Sequence, residues 1–210
     1  MVIILAGGGS KDKAELIDKE FSAIIDLSKP VLYLPFARKP PYDECMIWFK
    51  SSYKKYGIKK IKMLQDPKEI DNINFEDYSA VYVGGGNTFR LIESLKNTSF
   101  ELKLRKFLSK GGIYYGGSAG AVILGKTLST TSSENEFKST ERGLNLLEGK
   151  SVACHYKDEG EEKMIEISKN EYSKIYAIPE DSAILIKGKK IKVIGKSPVQ
   201  IISPGSINIV

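Results

Sequence analysis

Three glycine-rich turns, each placed directly after a short apolar run, constrain this chain more than any other feature. Residues 2–6 run into Gly7-Gly8-Gly9, residues 80–83 into Gly84-Gly85-Gly86-Asn87-Thr88, and residues 113–115 into Gly116-Gly117-Ser118-Ala119-Gly120. Helical spacing of apolar residues follows the first two turns: Leu16, Ile17, Phe21, Ile24 and Ile25 after one, and Phe89, Leu91, Ile92 and Leu95 after the other. Val122 to Leu124 continue a helix after the third. A short apolar run, a glycine break and an amphipathic stretch read as buried strand, tight turn and helix.

The same alternation fills the rest of the first half. Residues 30–36 predict a second buried strand, 43–56 a helix closed by Gly57, 59–64 a third strand, and 100–109 a helix ended by Gly111 and Gly112. Asn87 is placed to cap the helix after the second glycine turn. Strands alternating with helices imply a mostly parallel sheet covered on both faces, a three-layer α/β sandwich. Beyond Ser118 the character changes. Residues 127–147 are polar and predict an irregular loop, 152–156 a strand, and 161–169 a helix. Four short runs at 175–178, 183–186, 190–194 and 199–202 predict antiparallel hairpin pieces at the sheet edge.

A length of 210 residues suits one domain spanning 1–210 with a single core. The formal charge of +6 raises the question of a nucleic-acid partner. Lysines such as Lys54, Lys55, Lys59, Lys60, Lys187, Lys189 and Lys190 are scattered over helix faces and turns, which fits solvated surfaces and no nucleic-acid partner. No apolar run approaches the roughly 20 residues that span a bilayer, and no signal-peptide pattern opens the chain, so no membrane partner is expected. Cys45 and Cys154 give neither a disulfide framework nor metal-ligand spacing. These features predict a protein of the reducing cytoplasm.

Gly116 to Gly120 fit Gly-x-Ser-x-Gly between a strand and a helix. A nucleophile on such a turn is held in a strained backbone conformation, and small residues two positions to either side remove the clashes. The helix that follows aims its first amides at the turn, where they favour an anion. A serine needs a base, usually histidine, and the chain has one histidine, His155, at the end of an apolar run. A third group must orient the imidazole, and Glu134, Glu136, Asp158, Glu180 and Asp181 all compete for that role. The turn at residues 84–88 can complete an oxyanion hole with the amide of Ala119, or cradle a phosphate. Gly7-Gly8-Gly9 alone is a weak nucleotide signal, and no P-loop follows it.

Four segments together resemble the peptidase E family, which includes aspartyl dipeptidase and cyanophycinase: residues 33–37 (Tyr-Leu-Pro-Phe-Ala), 83–89 (Val-Gly-Gly-Gly-Asn-Thr-Phe), 112–121 around Ser118, and Ile178-Pro179-Glu180. The resemblance implies a glutamine-amidotransferase-like fold with serine in place of the usual cysteine nucleophile. It implies a triad of Ser118, His155 and Glu180, oxyanion donors at Gly86 and Ala119, and substrate contacts at Gly85, Asn87 and Thr88, with neither metal nor cofactor. The expected activity is serine-type, dipeptidase-like hydrolysis of a small peptide substrate through an acyl-enzyme, by a monomer or homodimer. The alternative is a non-catalytic protein binding a small anion or nucleotide on the same fold. The family's aspartyl dipeptidases resemble Asn-Pro-His-Phe around the histidine and carry Thr-Thr-Asn-Asp after the nucleophile helix. This chain has Ala153-Cys154-His155-Tyr156 and Thr130-Thr131-Ser132-Ser133-Glu134. Specificity for an N-terminal aspartate therefore does not carry over; Arg90, Arg142 or a loop lysine is the candidate for binding a substrate carboxylate.

Overall fold

The computed structural model describes residues 1–136 and 141–210. Eleven strands and six α-helices are formed by these residues: β1 (Val2–Ala6), α1 (Glu15–Ile24), β2 (Val31–Leu34), α2 (Asp43–Tyr53), β3 (Ile61–Met63), β4 (Ala80–Val83), α3 (Thr88–Leu95), α4 (Phe100–Ser109), β5 (Ile113–Gly117), α5 (Ala119–Val122), β6 (Ser151–Cys154), α6 (Glu161–Asn170), β7 (Ile175–Ile178), β8 (Ser182–Lys187), β9 (Lys190–Gly195), β10 (Gln200–Ser203) and β11 (Ser206–Ile209).

The larger sheet has the order β3-β2-β4-β5-β1-β8-β9. Its first five strands are parallel, and β8 and β9 join antiparallel at the β1 edge. Strands β2 and β4 are buried at every position, as expected of parallel strands covered on both faces. Tyr33, Tyr82 and Tyr115 form one cross-strand row, with Tyr82 and Tyr115 stacked at 4.3 Å. Phe21 of α1 and Phe49 and Tyr53 of α2 pack on that row and cover this face. On the opposite face Tyr114 donates its hydroxyl to Gly120 O of α5 at 2.6 Å, and α3 packs against α5. Asn87 caps α3 as expected, its side-chain oxygen accepting from Arg90 N.

The tail departs from the sequence-based expectation that all its strands sit at the edge of one sheet. Only β8 and β9 do so. β6, β7, β10 and β11 make a second sheet, of order β11-β10-β7-β6, with its own apolar cluster that includes Met164 of α6, Ile175 and Ile202. The reason is connectivity: α6 bridges β6 to β7 as a crossover, which makes that pair parallel and gives α6 an apolar layer of its own to cover. β11 was not expected from the sequence; the turn at Pro204 and Gly205 folds it back on β10. The polar stretch 127–147 is largely irregular where described, with one bridge between Thr127 and Arg142; its residues 137–140 lie outside the described residues.

Because β1, β4 and β5 are parallel and in register, with Ala6 opposite Gly117 and Val83 opposite Gly116, the three glycine turns leave the sheet at the same end. β6 and β7 end at Cys154 and Ile178 in register with each other, and so deliver the residues just after them to one place.

Candidate active site

Ser118 stands between β5 and α5 with φ +48° and ψ −105°, a region that costs a non-glycine residue roughly 1–3 kcal/mol. The neighbouring glycines make this turn possible. A Cβ on Gly116 would stand 2.5 Å from Gly120 O, and one on Gly120 would overlap Val83 O. α5 is four residues long, shorter than the expected helix, so its contribution to an anion lies in its first free amides more than in a long dipole.

The end of β1 and the turn after it tie the backbone of three site residues together. Ser118 N–H donates to Ala6 O at 3.0 Å, His155 N–H donates to Gly7 O at 2.9 Å, and Gly9 N–H donates to Glu180 O at 2.9 Å. His155 follows β6 with φ +53°, a left-handed conformation, and this turns its ring back toward β5. The side chains then form a chain: Ser118 Oγ lies 2.9 Å from His155 Nε2, and His155 Nδ1 lies 2.9 Å from Glu180 Oε1. Glu180 accepts most naturally from Nδ1–H, which leaves the Nε2 lone pair facing the serine hydroxyl.

Lys13 donates to the other oxygen, Glu180 Oε2, at 2.6 Å. That hydrogen bond first, and the one from His155 second, pull the Glu180 carboxyl down to about 2. Lys13 was not singled out in the sequence; nothing but its place seven residues after the end of β1 points to it. Nor was the role of Gly7-Gly8-Gly9, which pack against His155, Pro179 and Glu180.

The second glycine turn lies across from Ser118. A Cβ on Gly85 would stand 3.3 Å from Ser118 Cβ. Gly86 has φ +148°, and a Cβ there would overlap Ala37 O, so only glycine fits. Asn87 Nδ2 and Thr88 Oγ1 both engage the segment 131–134: Asn87 Nδ2 donates to Glu134 O at 3.0 Å, and Thr88 Oγ1 is 3.0 Å from Thr131 Oγ1. Of the competing carboxylates, Asp181 accepts from Ser197 Oγ, and Glu136 pairs with Arg90 at 3.0 Å. Glu134 and Asp158 lie on other segments, Asp158 opening a short 3-10 turn.

A cavity of about 420 Å³ opens beside Ser118, lined by Gly8, Gly85, Gly117, the tyrosine row and Asp18. Cys154 is adjacent but chemically quiet: its thiol contacts Ala6 O and Ser118 O, and burial pushes it up to about 12. No cluster of three His, Cys, Asp or Glu placed to hold a metal occurs among the described residues.

Residues 2–194 match the sequence profile of peptidase family S51. The chain belongs to that family. It is a serine-type peptidase, and the family resemblance read from its motifs is correct. Peptidase E of Pasteurella multocida is 27% identical over 187 residues, covering 83% of this chain and 79% of that protein. Peptidase E of a Nostoc species is 28% identical over 199 residues, covering 84% and 77%. The solved structure of a peptidase from an acI-B1 Actinobacterium superposes with a TM-score of 0.75 at 20% identity, covering all of this chain and 93% of that one; it shows the shared fold. No helix among the described residues of this S51 peptidase is long and apolar enough to cross a membrane.

Proposed function

We propose that this S51 peptidase hydrolyses short peptides through an acyl-enzyme, with Ser118 as nucleophile, His155 as general base and then acid, and Glu180 as the group that orients and charges the imidazole. The observation that carries the reading is the unbroken chain from Ser118 Oγ through both nitrogens of His155 to Glu180, at 2.9 Å per link. His155 Nε2 takes the hydroxyl proton as Ser118 attacks the carbonyl. The imidazolium that forms is stabilised by an ionised Glu180, then gives its proton to the departing amine, and water repeats the cycle to release the acid.

The amides of Gly86 and Ala119 are the proposed oxyanion donors. Ala119 opens α5, where an amide has no intrahelical acceptor, and Gly86 belongs to the turn facing Ser118. Gly85, which lines the cavity with Ser118, is the proposed contact to substrate backbone. Asn87 and Thr88 act one step back, through their grip on the segment 131–134. We also assign residues 1–210 to one working domain, since the second sheet supplies His155 and the larger one Ser118. Both cysteines are free, which suits a cytoplasmic enzyme.

The test is cleavage of a dipeptide panel by the wild-type protein and by Ser118→Ala. Release of free amino acids by the wild type alone supports the reading. Cleavage that survives Ser118→Ala overturns it.

A further inference from the structure

We infer that the cavity beside Ser118 is a specificity pocket for lysine or arginine on the amino side of the scissile bond, with the buried carboxylate of Asp18 receiving the cation. The inference rests on the peptidase reading above and names the substrate class that reading leaves open.

Asp18 is an anomaly in α1. It sits beside Ile17 and one turn before Phe21, on the stripe that faces the core, where an apolar residue is the ordinary choice. It is only 7% exposed, yet it lines the same cavity as Ser118. One oxygen, Oδ1, accepts from Tyr53 OH at 2.6 Å. Among the described residues no hydrogen bond is formed by Oδ2 and no Lys or Arg pairs with this carboxylate; the nearby Lys55 is bound to Glu15 at 2.8 Å. A buried carboxylate held by a single neutral donor is costly to the fold unless something else completes it. The cavity is the side from which a cation can arrive.

The walls suit the rest of such a side chain. Tyr33, Tyr82, Tyr115 and Trp48 line the cavity and give the aliphatic stem of such a side chain an aromatic surround. The volume, about 420 Å³, falls within the range of roughly 300–1,000 Å³ usual for a ligand pocket. Burial holds the Asp18 carboxyl up to about 6, so it still carries its charge at neutral pH.

Two cations at the mouth, Arg38 and Lys39, argue for an acidic residue instead. They are exposed, Arg38 Nε is engaged by Gly85 O at 3.1 Å, and Glu44 shares the rim. Attraction between charges is several-fold weaker in solvent than in a desolvated pocket, so the interior carboxylate decides. A neutral isostere of lysine, norleucine, would fill the same space and leave Asp18 unanswered, a mismatch that binding sites penalise heavily.

The experiment uses aminoalkyl diphenylphosphonates, which phosphonylate a serine nucleophile with loss of phenoxide and present one side chain to the pocket. Analogues of lysine, norleucine and aspartate are compared by their rate of modification of Ser118, read by mass spectrometry. We expect the lysine analogue to react at least tenfold faster than the norleucine analogue, and that ratio to collapse toward one in Asp18→Asn, whose folding is checked by thermal melting. Equal rates for lysine and norleucine, a faster aspartate analogue, or an unchanged ratio in Asp18→Asn overturns the inference. The wild-type comparison decides by itself should the variant fail to fold. Reaction with a simple fluorophosphonate but with none of the three analogues also overturns it. Failure to react even with the fluorophosphonate instead sinks the serine nucleophile itself.

Discussion

His155 occupies the space that a side chain on Gly8 would need. A Cβ at position 8 would stand 2.5 Å from both Cε1 and Nε2 of the ring and 3.0 Å from Ser118 Cβ, and Gly8 has φ +104°. The first glycine turn is thus the back wall of the imidazole. Gly8→Ala should lower kcat/KM by about 100-fold, the usual penalty for shifting a reacting group by about an ångström, while circular dichroism shows the fold retained. Unchanged kinetics would show that the ring position does not depend on this wall.

Lys13 and His155 both bind Glu180, but they should matter very differently. Glu180 has its carboxyl lowered to about 2, so its favourable ionisation contributes above its ordinary value of 4.5 and is lost only as pH falls toward 2. Removing Lys13 lets that carboxyl rise, yet leaves it ionised at pH 7. The pair is also well exposed, with 60% and 36% of the two side chains accessible, so solvent screens it. Lys13→Ala should therefore cost less than about tenfold in kcat at pH 7, and Glu180→Gln about 100-fold or more, since it removes the charge facing the imidazolium. Equal losses would contradict this division.

Asp18 should exact a cost in stability that depends on pH. Burial is the larger influence and raises its carboxyl from 3.8 to about 6, partly opposed by the hydrogen bond from Tyr53. The folded state therefore holds the proton more tightly. Its advantage is complete below pH 3.8 and disappears as pH rises through about 6, leaving a penalty of at most about 3 kcal/mol. Asp18→Asn should raise the melting temperature at pH 8 and not at pH 4. A melting temperature raised equally at both pH values would mean that the effect is packing and not charge.

Ser118 carries backbone strain that a glycine would release. Ser118→Ala keeps the Cβ and the strain; Ser118→Gly keeps neither. The glycine variant should be more stable than the alanine variant by about 1 kcal/mol, after the greater chain entropy of glycine is set against the relief. Chemical denaturation of the two variants measures the difference, and an alanine variant of equal or greater stability would show that the turn is unstrained.

Much of this was legible in the sequence because the decisive signals are local. Glycine after a buried run marked the turns at 7, 84 and 116, and the requirement for small residues at 116 and 120 is a matter of atoms two positions from Ser118. His155 stood out as the sole imidazole. That Glu180, and neither Asp181 nor Asp158, meets the ring of His155 is not a local property: it depends on β6 and β7 pairing in parallel across α6, and on Gly9 N–H holding the backbone at 180. Only the family resemblance pointed to it. Lys13, Gly8 and Asp18 were illegible for the same reason. Each acts on a residue or cavity brought to it by the sheet order, and the second sheet itself follows from long-range pairing that short strands do not announce.

The measurement that bears most directly on the central claim is mapping of the covalent adduct formed with a fluorophosphonate probe. The expected adduct lies on Ser118 in the wild-type protein, and forms at least about 100-fold more slowly in His155→Ala, in which the hydroxyl has lost its base. An adduct on another residue, or one that forms on Ser118 equally fast without His155, would contradict a serine activated by this histidine.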